Sequence, residues 1–290
     1  MTFDANRPVA VVTGASSGIG RSTARKLMER GWQVVGVGRD PRRCAEAERE
    51  LAAAGGGGGF AVLRGDFTLM AEVKRVADAI GDRIPRLDVL INNAGGVRDR
   101  RIVTAEGTEA TFAANHLAPF LLTRELLPAL RTSAAALPPG SARVIAVSSS
   151  AHRMGKGLRW DDLQSLRDFH PAGAYGQAKL ANILFTRELA RRTAPDGITA
   201  HAMHPGKVAT NFASHGDAAM REHMAAADTV PPDEPAETLV WLAADPEGGR
   251  DGGRYFHGKA EETPAEAARD DAAAARLWTE SERLLAGLGF

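Results

Sequence analysis

Apolar residues occur along the chain in short continuous runs, and longer amphipathic stretches separate these runs. The continuous runs predict buried strands over residues 9–13, 33–37, 60–64, 87–91, 143–148, 198–203 and 253–256. The stretches between them predict helices over residues 19–30, 41–54, 69–80, 108–130, 172–194 and 235–244. Strands that are apolar throughout, rather than at alternate positions, are typical of a parallel sheet covered on both faces.

The regular alternation of strand and helix predicts the fold class. Repeated strand–helix–strand units join parallel strands by right-handed crossovers. We therefore expect an α/β fold of the Rossmann type, with a doubly wound, mostly parallel sheet of seven strands and helices on both faces. Residues 1–290 are predicted to form a single domain, because the alternation resumes after the glycine run at 55–59. A C-terminal helix is expected over residues 264–288, with its leucines packed on the core.

Two segments, residues 150–171 and 207–232, interrupt this alternation. Long irregular segments in a compact domain usually serve a function. Both follow predicted strands, and ligands of open α/β sheets bind beyond the carboxyl ends of the strands. We therefore expect the two segments to form the walls of an apolar substrate pocket, with residues 207–232 as its lid. The predicted lining residues are Met154, Phe212, Met220 and Met224.

Composition and charge narrow the range of partners. The chain has 36 Lys and Arg and 36 Asp and Glu, so its formal net charge is zero. Nucleic-acid-binding proteins usually carry a basic surplus, so no nucleic-acid partner is expected. The single cysteine, Cys44, excludes an intramolecular disulfide and a cage of thiolates around a metal, and we expect it to be exposed on an outer helix. The histidines show no metal-ligand spacing, so no metal is predicted. With no bilayer-spanning apolar run and no signal-peptide core, the chain is expected to be cytoplasmic and without membrane contact.

A glycine-rich turn joins the first predicted strand to the first predicted helix and reads Thr13-Gly14-Ala15-Ser16-Ser17-Gly18-Ile19-Gly20. Glycines at such a turn let the backbone approach a pyrophosphate, and the helix N-terminus presents free N–H groups to the anion. The spacing Gly-x-x-x-Gly-x-Gly differs from the commoner Gly-x-Gly-x-x-Gly. We expect a dinucleotide to contact Gly14, Ser16, Ser17, Gly18, Ile19 and Gly20.

The order of the motifs resembles the short-chain dehydrogenase/reductase family. Asn92-Asn93-Ala94-Gly95 ends the fourth predicted strand, Asn115 lies in the next helix, and Ser149 follows the fifth strand. Tyr175 and Lys179 form a Tyr-x-x-x-Lys motif, and His204-Pro205-Gly206 follows the sixth strand, so the resemblance covers residues 8 to 256. Residues 115–123, 179–185, 268–270 and 276–278 further resemble the branch of retinol dehydrogenases and WW-domain oxidoreductases.

The resemblance implies a catalytic set of Asn115, Ser149, Tyr175 and Lys179. It makes Tyr175 the acid and base, Lys179 the donor to the nicotinamide ribose, Ser149 the partner of the substrate oxygen, and Asn115 the holder of a water near the lysine. Lys179 lies one helical turn after Tyr175, and its ammonium, together with an oxidised nicotinamide, is expected to lower the pKa of the tyrosine. The adjacent Ser148 stays an alternative to Ser149. The cofactor is also expected to contact Phe67, Asn93, Ala94, Gly95, Tyr175, Lys179, Pro205, Gly206, Val208 and Thr210.

The end of the second predicted strand indicates which cofactor binds. An acidic residue at this point would bind the adenosine ribose of NAD and repel a 2′-phosphate. Here the position is Gly38, and Arg39 follows it with a guanidinium that can pair with a phosphate. Asp40 precedes Pro41 and is expected to cap the next helix instead. We therefore predict NADP(H), with Asp66 at the edge of the adenine.

Together these features predict an NADP(H)-dependent oxidoreductase that transfers hydride between the nicotinamide and the carbonyl or hydroxyl carbon of an apolar small molecule. The resemblance also implies a homodimer or homotetramer, formed through the helices that carry Asn115 and Tyr175. Two alternatives stay open. One is a double-bond reductase or an epimerase on the same scaffold, and the other is an NADP-sensing protein without turnover.

Overall fold

A computed structural model describes residues 3–53, 58–210, 212 and 215–290, and the strands in these residues form one sheet. The strands are β1 (Val9–Thr13), β2 (Gln33–Gly38), β3 (Gly59–Arg64), β4 (Val89–Asn92), β5 (Ala142–Val147), β6 (Ile198–His204), β7 (Tyr255–His257) and β8 (Ala260–Glu261). Their order is β3-β2-β1-β4-β5-β6-β7-β8. Strands β1 to β7 are parallel, and β8 pairs antiparallel with β7. The predicted Rossmann-type fold is confirmed.

Helices cover both faces of this sheet. They are α1 (Gly18–Glu29), α2 (Pro41–Ala53), α3 (Met70–Gly81), α4 (Ala110–Phe112), α5 (Ala118–Ala136), α6 (Pro171–Thr193), α7 (Ala218–Ala225), α8 (Asp233–Ala244) and α9 (Asp271–Gly287), and a π-helical turn over Ala113–Leu117 joins α4 to α5. Val9 and Val11 of β1 pack in the core with α3 and α5, whereas Ala10 and Val12 pack in the core with α1 and α8. Because both faces of the strand are buried, every residue of β1 before its last is apolar.

Three features differ from the sequence-based expectation. The sheet has an eighth strand, β8, which consists of two exposed residues in a hairpin with β7. The sequence did not predict it because it contains no apolar run. The helix predicted over 108–130 is divided into α4, the π-helical turn and α5. The C-terminal helix begins at Asp271 rather than at 264, because the Asp270 side chain accepts a hydrogen bond from the N–H of Ala273 and caps it there. Of the glycine run at 55–59, residues 55–57 lie outside the described residues.

The topology places a crevice between β1 and β4. The chain winds outward from β1 to β2 and β3 and then returns to pair β4 with the other edge of β1. Ligands of doubly wound sheets bind at such a reversal, beyond the carboxyl ends of the strands. The motifs singled out in the sequence follow these ends. Within the described residues, no helix is both long enough and apolar enough to cross a membrane.

Candidate active site

A cavity of about 580 Å³ opens at the carboxyl ends of the parallel strands. Most of the predicted site residues line it, although they are distant in the sequence. They are Gly14, Ser16, Ser17, Gly18, Ile19, Arg39, Asp66, Phe67, Asn93, Ala94, Gly95, Ser149, Tyr175, Lys179, Pro205, Gly206, Val208 and Thr210. The two remaining predicted residues, Gly20 and Asn115, lie behind the wall of the cavity and shape it from there.

Glycines shape the loop between β1 and α1. Gly14 and Gly18 have positive φ angles of 73° and 52°, which glycine adopts without strain. A Cβ atom on Gly14 would lie 2.7 Å from Asn93 Nδ2, and one on Gly20 would overlap the Gly14 carbonyl oxygen. Gly20 therefore permits close packing of α1 against the loop, and the N-terminus of α1 faces the cavity. The Thr13 hydroxyl oxygen accepts hydrogen bonds from the N–H groups of Asn93 and Ala94, which ties the loops after β1 and β4 together.

Tyr175 lies near the start of α6 and is only 7% exposed. Its ring centroid is 5.1 Å from that of Phe212, and the Ser149 side chain lies close enough to its hydroxyl to affect its pKa. Burial raises the pKa of Tyr175, and Ser149 opposes this rise. For the chain by itself, the loss of solvation decides the direction of the shift. The expectation of a lowered pKa includes an oxidised nicotinamide and stays a prediction. The phenol is held in its protonated form.

Lys179 emerges from the same side of α6 as Tyr175. Its Nζ donates a hydrogen bond to the Val147 carbonyl oxygen at the end of β5 (2.9 Å) and lies 5.5 Å from the centroid of the Tyr175 ring. Burial lowers the pKa of Lys179 to about 8. The ammonium keeps donor capacity for a ligand hydroxyl, since the one bond to Val147 uses one of its three protons.

The two adjacent serines make different bonds. The Ser148 hydroxyl is buried and donates to the Lys179 carbonyl oxygen (2.7 Å), so it holds α6 against β5. The Ser149 hydroxyl caps the 3₁₀ turn that follows, where it accepts a hydrogen bond from the Ala151 N–H, and it is the serine that opposes the rise in the pKa of Tyr175. The geometry therefore favours Ser149 over Ser148 as the serine that works with Tyr175.

Asn115 occupies the π-helical turn and is fully buried. Its Nδ2 donates to the carbonyl oxygens of Gly96 (2.8 Å) and Thr111 (2.7 Å), and its Oδ1 accepts from the Gly96 N–H (3.1 Å). A Cβ atom on Gly95 would overlap Asn115 Oδ1 and would lie 3.2 Å from Lys179 Nζ, so a glycine is needed at 95. The Asn115 amide thus holds the loop after β4 close to Lys179, and π-helical turns of this kind are common at functional sites.

Gly38 has no room for a side chain. A Cβ atom there would lie 2.6 Å from Cys44 Sγ and 2.8 Å from Ser16 Cβ. Cys44 is 2% exposed, so the expectation of an exposed cysteine is wrong: α2 turns this face toward β2 instead of toward solvent. Burial raises the pKa of the Cys44 thiol. Asp40 caps α2 as expected, because its Oδ1 accepts hydrogen bonds from the N–H groups of Arg42 (2.9 Å) and Arg43 (3.0 Å).

The two irregular segments meet across the cavity. All four apolar residues predicted from them, Met154, Phe212, Met220 and Met224, line it. The lid segment 207–232 contains α7 and is closed at its base by a bridge between Val208 and Val230. Residues 211, 213 and 214 of the lid lie outside the described residues.

Sequence reasoning missed two charged residues of the cavity, Arg98 and His215. Arg98 is half-buried in the loop after β4, and His215 precedes α7. Neither residue belongs to a motif with a recognisable spacing. The loop that carries Arg98 and the lid segment that carries His215 meet only in the folded chain.

A group of two histidines and a carboxylate lies beside the cavity: His204, His257 and Glu262. His204 Nε2 is 3.3 Å from Glu262 Oε2, and the two imidazole rings stack with centroids 4.1 Å apart and planes 8° apart. Because the lone pairs of an imidazole lie in the plane of its ring, two parallel rings do not point at one ion. The absence of a metal stays a prediction.

Comparisons with known proteins agree with this geometry. A family profile described as short chain dehydrogenase matches residues 8–220. Retinol dehydrogenase 14 of Mus musculus is 37% identical over 287 residues, which cover 94% of this chain and 84% of that protein. A Streptomyces protein (strain C5) named "Putative daunorubicin C-13 ketoreductase DnrU" is 38% identical over 272 residues, which cover 93% of this chain and 90% of that protein.

Solved structures show the same fold. The Pseudomonas aeruginosa RhlG/NADP active-site complex is 30% identical and has a TM-score of 0.69, covering 86% of this chain and 93% of that one. An NADH-dependent reductase A1-R′ complexed with NAD is 26% identical and has a TM-score of 0.66, covering 86% and 94%. Neighbours of this fold therefore include complexes with either nicotinamide dinucleotide.

Proposed function

This chain belongs to the short-chain dehydrogenase/reductase family, and from that premise we propose that it is an NADP(H)-dependent oxidoreductase that interconverts a ketone or aldehyde and the corresponding alcohol. The observation that carries the proposal is the arrangement of Tyr175, Ser149 and Lys179 on one wall of a cavity whose opposite wall is apolar. A proton donor, a polar partner and an ammonium at such a wall suit reduction of a carbonyl group.

The residues present fit a nicotinamide dinucleotide. The glycine-rich loop brings backbone within reach of a pyrophosphate, since a Cβ atom at Gly14 has no room, and the N-terminus of α1 offers N–H groups to an anion. The cavity extends from this loop to Tyr175 and Lys179, so one elongated ligand can touch both. When bound, the cofactor supplies or accepts the hydride.

The chain's own groups handle the proton and the substrate oxygen. Tyr175 is protonated and buried, so its hydroxyl can donate to the oxygen of a bound carbonyl. Ser149 lies beside Tyr175 at the cavity, where its hydroxyl can orient the same oxygen. Lys179 is fixed by Val147 and has N–H groups left for a ribose hydroxyl, while Asn115 keeps the neighbouring loop in register. Tyr175, Ser149, Lys179 and Asn115 must therefore lie close together at the cavity for these roles to be combined.

Two observations support NADP(H) over NAD(H). Gly38 cannot be replaced by an acidic residue without moving Cys44, so position 38 has no room for a carboxylate that would repel a 2′-phosphate. Arg39 lines the adenosine end of the cavity and supplies positive charge there. Losing one charged pair to a phosphate costs about 1.5–3 kcal/mol, so Arg39→Ala should weaken NADPH binding roughly tenfold to a hundredfold and leave NADH nearly unchanged.

An apolar substrate fits the lid. Met154, Phe212, Met220 and Met224 supply the wall that faces Tyr175. The names of the relatives, a retinol dehydrogenase and a ketoreductase, point to bulky apolar alcohols and ketones.

The decisive experiment is cofactor oxidation with a panel of apolar ketones and aldehydes, run with NADPH and with NADH. We expect turnover with NADPH to exceed turnover with NADH. Reduction of activated double bonds without any carbonyl reduction would favour the alternative reductase, and tight NADPH binding without turnover on any substrate would favour a sensor. Equal use of NADH would refute the cofactor assignment.

A further inference from the structure

Three arginines and a histidine line the adenosine end of the cavity: Arg39, Arg43, Arg98 and His215. They come from three separate parts of the chain, namely the end of β2 with the first turn of α2, the loop after β4 and the lid segment just before α7. We refer to these four residues as the anion subsite.

Arg98 is held in this place by a backbone contact and not by a salt bridge. Its Nη1 donates to the neighbouring Val97 carbonyl oxygen (3.2 Å), and within the described part of the chain it forms no ion pair at salt-bridge distance, whereas the exposed Arg100 pairs with Asp99. Burial lowers the pKa of Arg98, and the positive charge of Arg39 lowers it further, against smaller opposing effects of Asp66, Glu109 and Asp99. A half-buried guanidinium beside a second one gains from an anion that contacts both.

His215 closes the subsite from the lid. The next residue, Gly216, packs on the loop of Arg98, since a Cβ atom on Gly216 would lie 3.1 Å from Val97 Cγ1. Burial lowers the pKa of His215, and the charges of Arg98, Arg39 and Arg43 lower it further, against a smaller opposing effect of Asp99. All three arginines therefore lie close enough to the imidazole to act on its charge.

Two carboxylates that line the cavity near the subsite, Asp66 and Asp40, are engaged elsewhere. Asp66 Oδ1 accepts hydrogen bonds from the N–H and the hydroxyl of Thr68, and Asp40 caps α2. Neither forms an ion pair with a subsite arginine in the described residues. The subsite thus carries a local positive surplus that the neutral net charge of the whole chain conceals.

We propose that Arg98 and His215 complete, with Arg39 and Arg43, a clamp for a phosphomonoester dianion, and that its occupant is the 2′-phosphate of NADP(H). Because His215 is fixed to the segment that carries Met220 and Met224, the clamp also couples the phosphate to the substrate wall. Phosphate binding draws α7 against the cavity, so NADP(H) forms the substrate pocket more completely than NAD(H). This inference rests on the proposed function.

Binding of 2′,5′-ADP and of 5′-AMP, measured by calorimetry without any turnover, tests the clamp. We expect Arg98→Met to weaken 2′,5′-ADP about tenfold, as the loss of one charged contact to phosphate does, and to leave 5′-AMP unchanged. His215→Gln should weaken 2′,5′-ADP by a smaller factor. Arg100→Met, a matched exposed arginine two residues away, should bind both nucleotides as the wild type does.

Amide hydrogen exchange tests separately whether phosphate binding orders the lid segment. We expect 2′,5′-ADP, but not 5′-AMP, to slow amide hydrogen exchange over residues 215–225 in the wild type, and His215→Gln to abolish the difference. Equal protection by both nucleotides would overturn the coupling. An Arg98→Met protein with unchanged affinity for 2′,5′-ADP would overturn the clamp, and if its KM rose only for substrates that carry a carboxylate or phosphate, the anion would belong to the substrate.

Arg39→Ala separates failure of this inference from failure of the proposed function. If Arg39→Ala weakens 2′,5′-ADP and Arg98→Met does not, only the clamp is wrong. If neither variant changes the affinity for 2′,5′-ADP, the 2′-phosphate does not bind at this end of the cavity. Both the clamp and the proposed preference for NADP(H) are then wrong.

Discussion

Single residues in this site act through what surrounds them. Tyr175 stays a protonated phenol because its side chain is buried. Ser148 and Ser149 are the same residue type and differ in what their hydroxyls contact, since that of Ser148 is bonded to the Lys179 carbonyl oxygen. Gly38 and Gly95 matter because neighbouring atoms occupy the space that a Cβ would need. The sequence gives the type of each side chain, but not its burial or the atoms that surround it.

Replacement of Tyr175 by phenylalanine tests the proton donor. Tyr175→Phe keeps the ring that packs on Phe212 and removes only the hydroxyl, so folding and NADPH affinity should be nearly unchanged. The rate of carbonyl reduction at saturating cofactor should fall by roughly 10²–10⁴, which is the usual contribution of a positioned general acid. Steady-state kinetics and a cofactor titration measure the two quantities. Undiminished turnover would exclude Tyr175 from the chemistry.

The packing of Gly38 against Cys44 can be measured as a coupling energy. Gly38→Ala should lower the free energy of unfolding by about 1–3 kcal/mol, because an added methyl group overfills a packed site. In a Cys44→Ala background the loss should be smaller, since the sulfur 2.6 Å away is gone. Gly81→Ala is the control, because a Cβ there meets no atom within 4 Å. Chemical denaturation of the four proteins gives the cycle, and an equal loss in both backgrounds would show that Cys44 is not the obstacle.

At the scale of elements, the π-helical turn links the site to the C-terminal helix. Asn115 in this turn holds the loop after β4, and the next residue, His116, is fully buried and hydrogen-bonded to Ser281 of α9 (2.7 Å). Since Ser281 donates its own proton to the Leu277 carbonyl oxygen, it accepts from His116 Nε2–H. Adjacent residues of one turn thus serve the active site and the packing of α9.

Acid should weaken this link. Burial lowers the pKa of His116 from an ordinary 6.5 to about 3, so between these values the unfolded chain binds a proton that the folded chain does not. Stability therefore falls as the pH falls through this window, by about 1.4 kcal/mol per pH unit from this group. His116→Gln should show a shallower decline in unfolding free energy between pH 6 and pH 4 than the wild type. Replacement of the exposed His170 by glutamine is the matched control, and equal slopes in wild type and His116→Gln would contradict the assignment.

At the scale of the whole molecule, α9 packs along α6 and touches the start of α5. The Trp278 ring lies edge-on to Phe120 of α5 (4.7 Å between centroids) and stacks on Phe185 of α6 (6.0 Å), and the Arg192 guanidinium covers it at 4.5 Å. These are the helices through which the family resemblance implies a homodimer or homotetramer. A dimer through the face of α6 on which α9 packs would have to displace α9.

We therefore expect the protein to have the mass of one chain, 30.7 kDa, in light scattering at micromolar concentration. Trp278→Ala should destabilise the chain by about 3–5 kcal/mol, as large-to-small substitutions of buried tryptophan do, and should promote self-association through the uncovered face. Phe290, which is partly buried at the edge of the same core, offers a milder comparison as Phe290→Ala. A stable dimer in which Trp278→Ala changes nothing would show that copies of the chain meet at another surface.

The sequence by itself determined the order of strands and helices and the glycine-rich loop, and its resemblance to a family implied that Ser149, Tyr175 and Lys179 act as one group. It could do so because continuous apolar runs, helix caps and motif spacing are local properties of the chain. It also placed Met154, Phe212, Met220 and Met224 on the cavity wall, since both irregular segments follow strands of one parallel sheet.

Only the tertiary structure decided the features that depend on distant segments meeting. The burial of Cys44 against Gly38, the direction of the pKa of Tyr175, the packing of α9 along α6 and the start of α5, and the approach of Arg98 to His215 have no local signal. Desolvation and steric exclusion arise from atoms that are far apart along the chain. They can be read only once the chain has brought these atoms into contact.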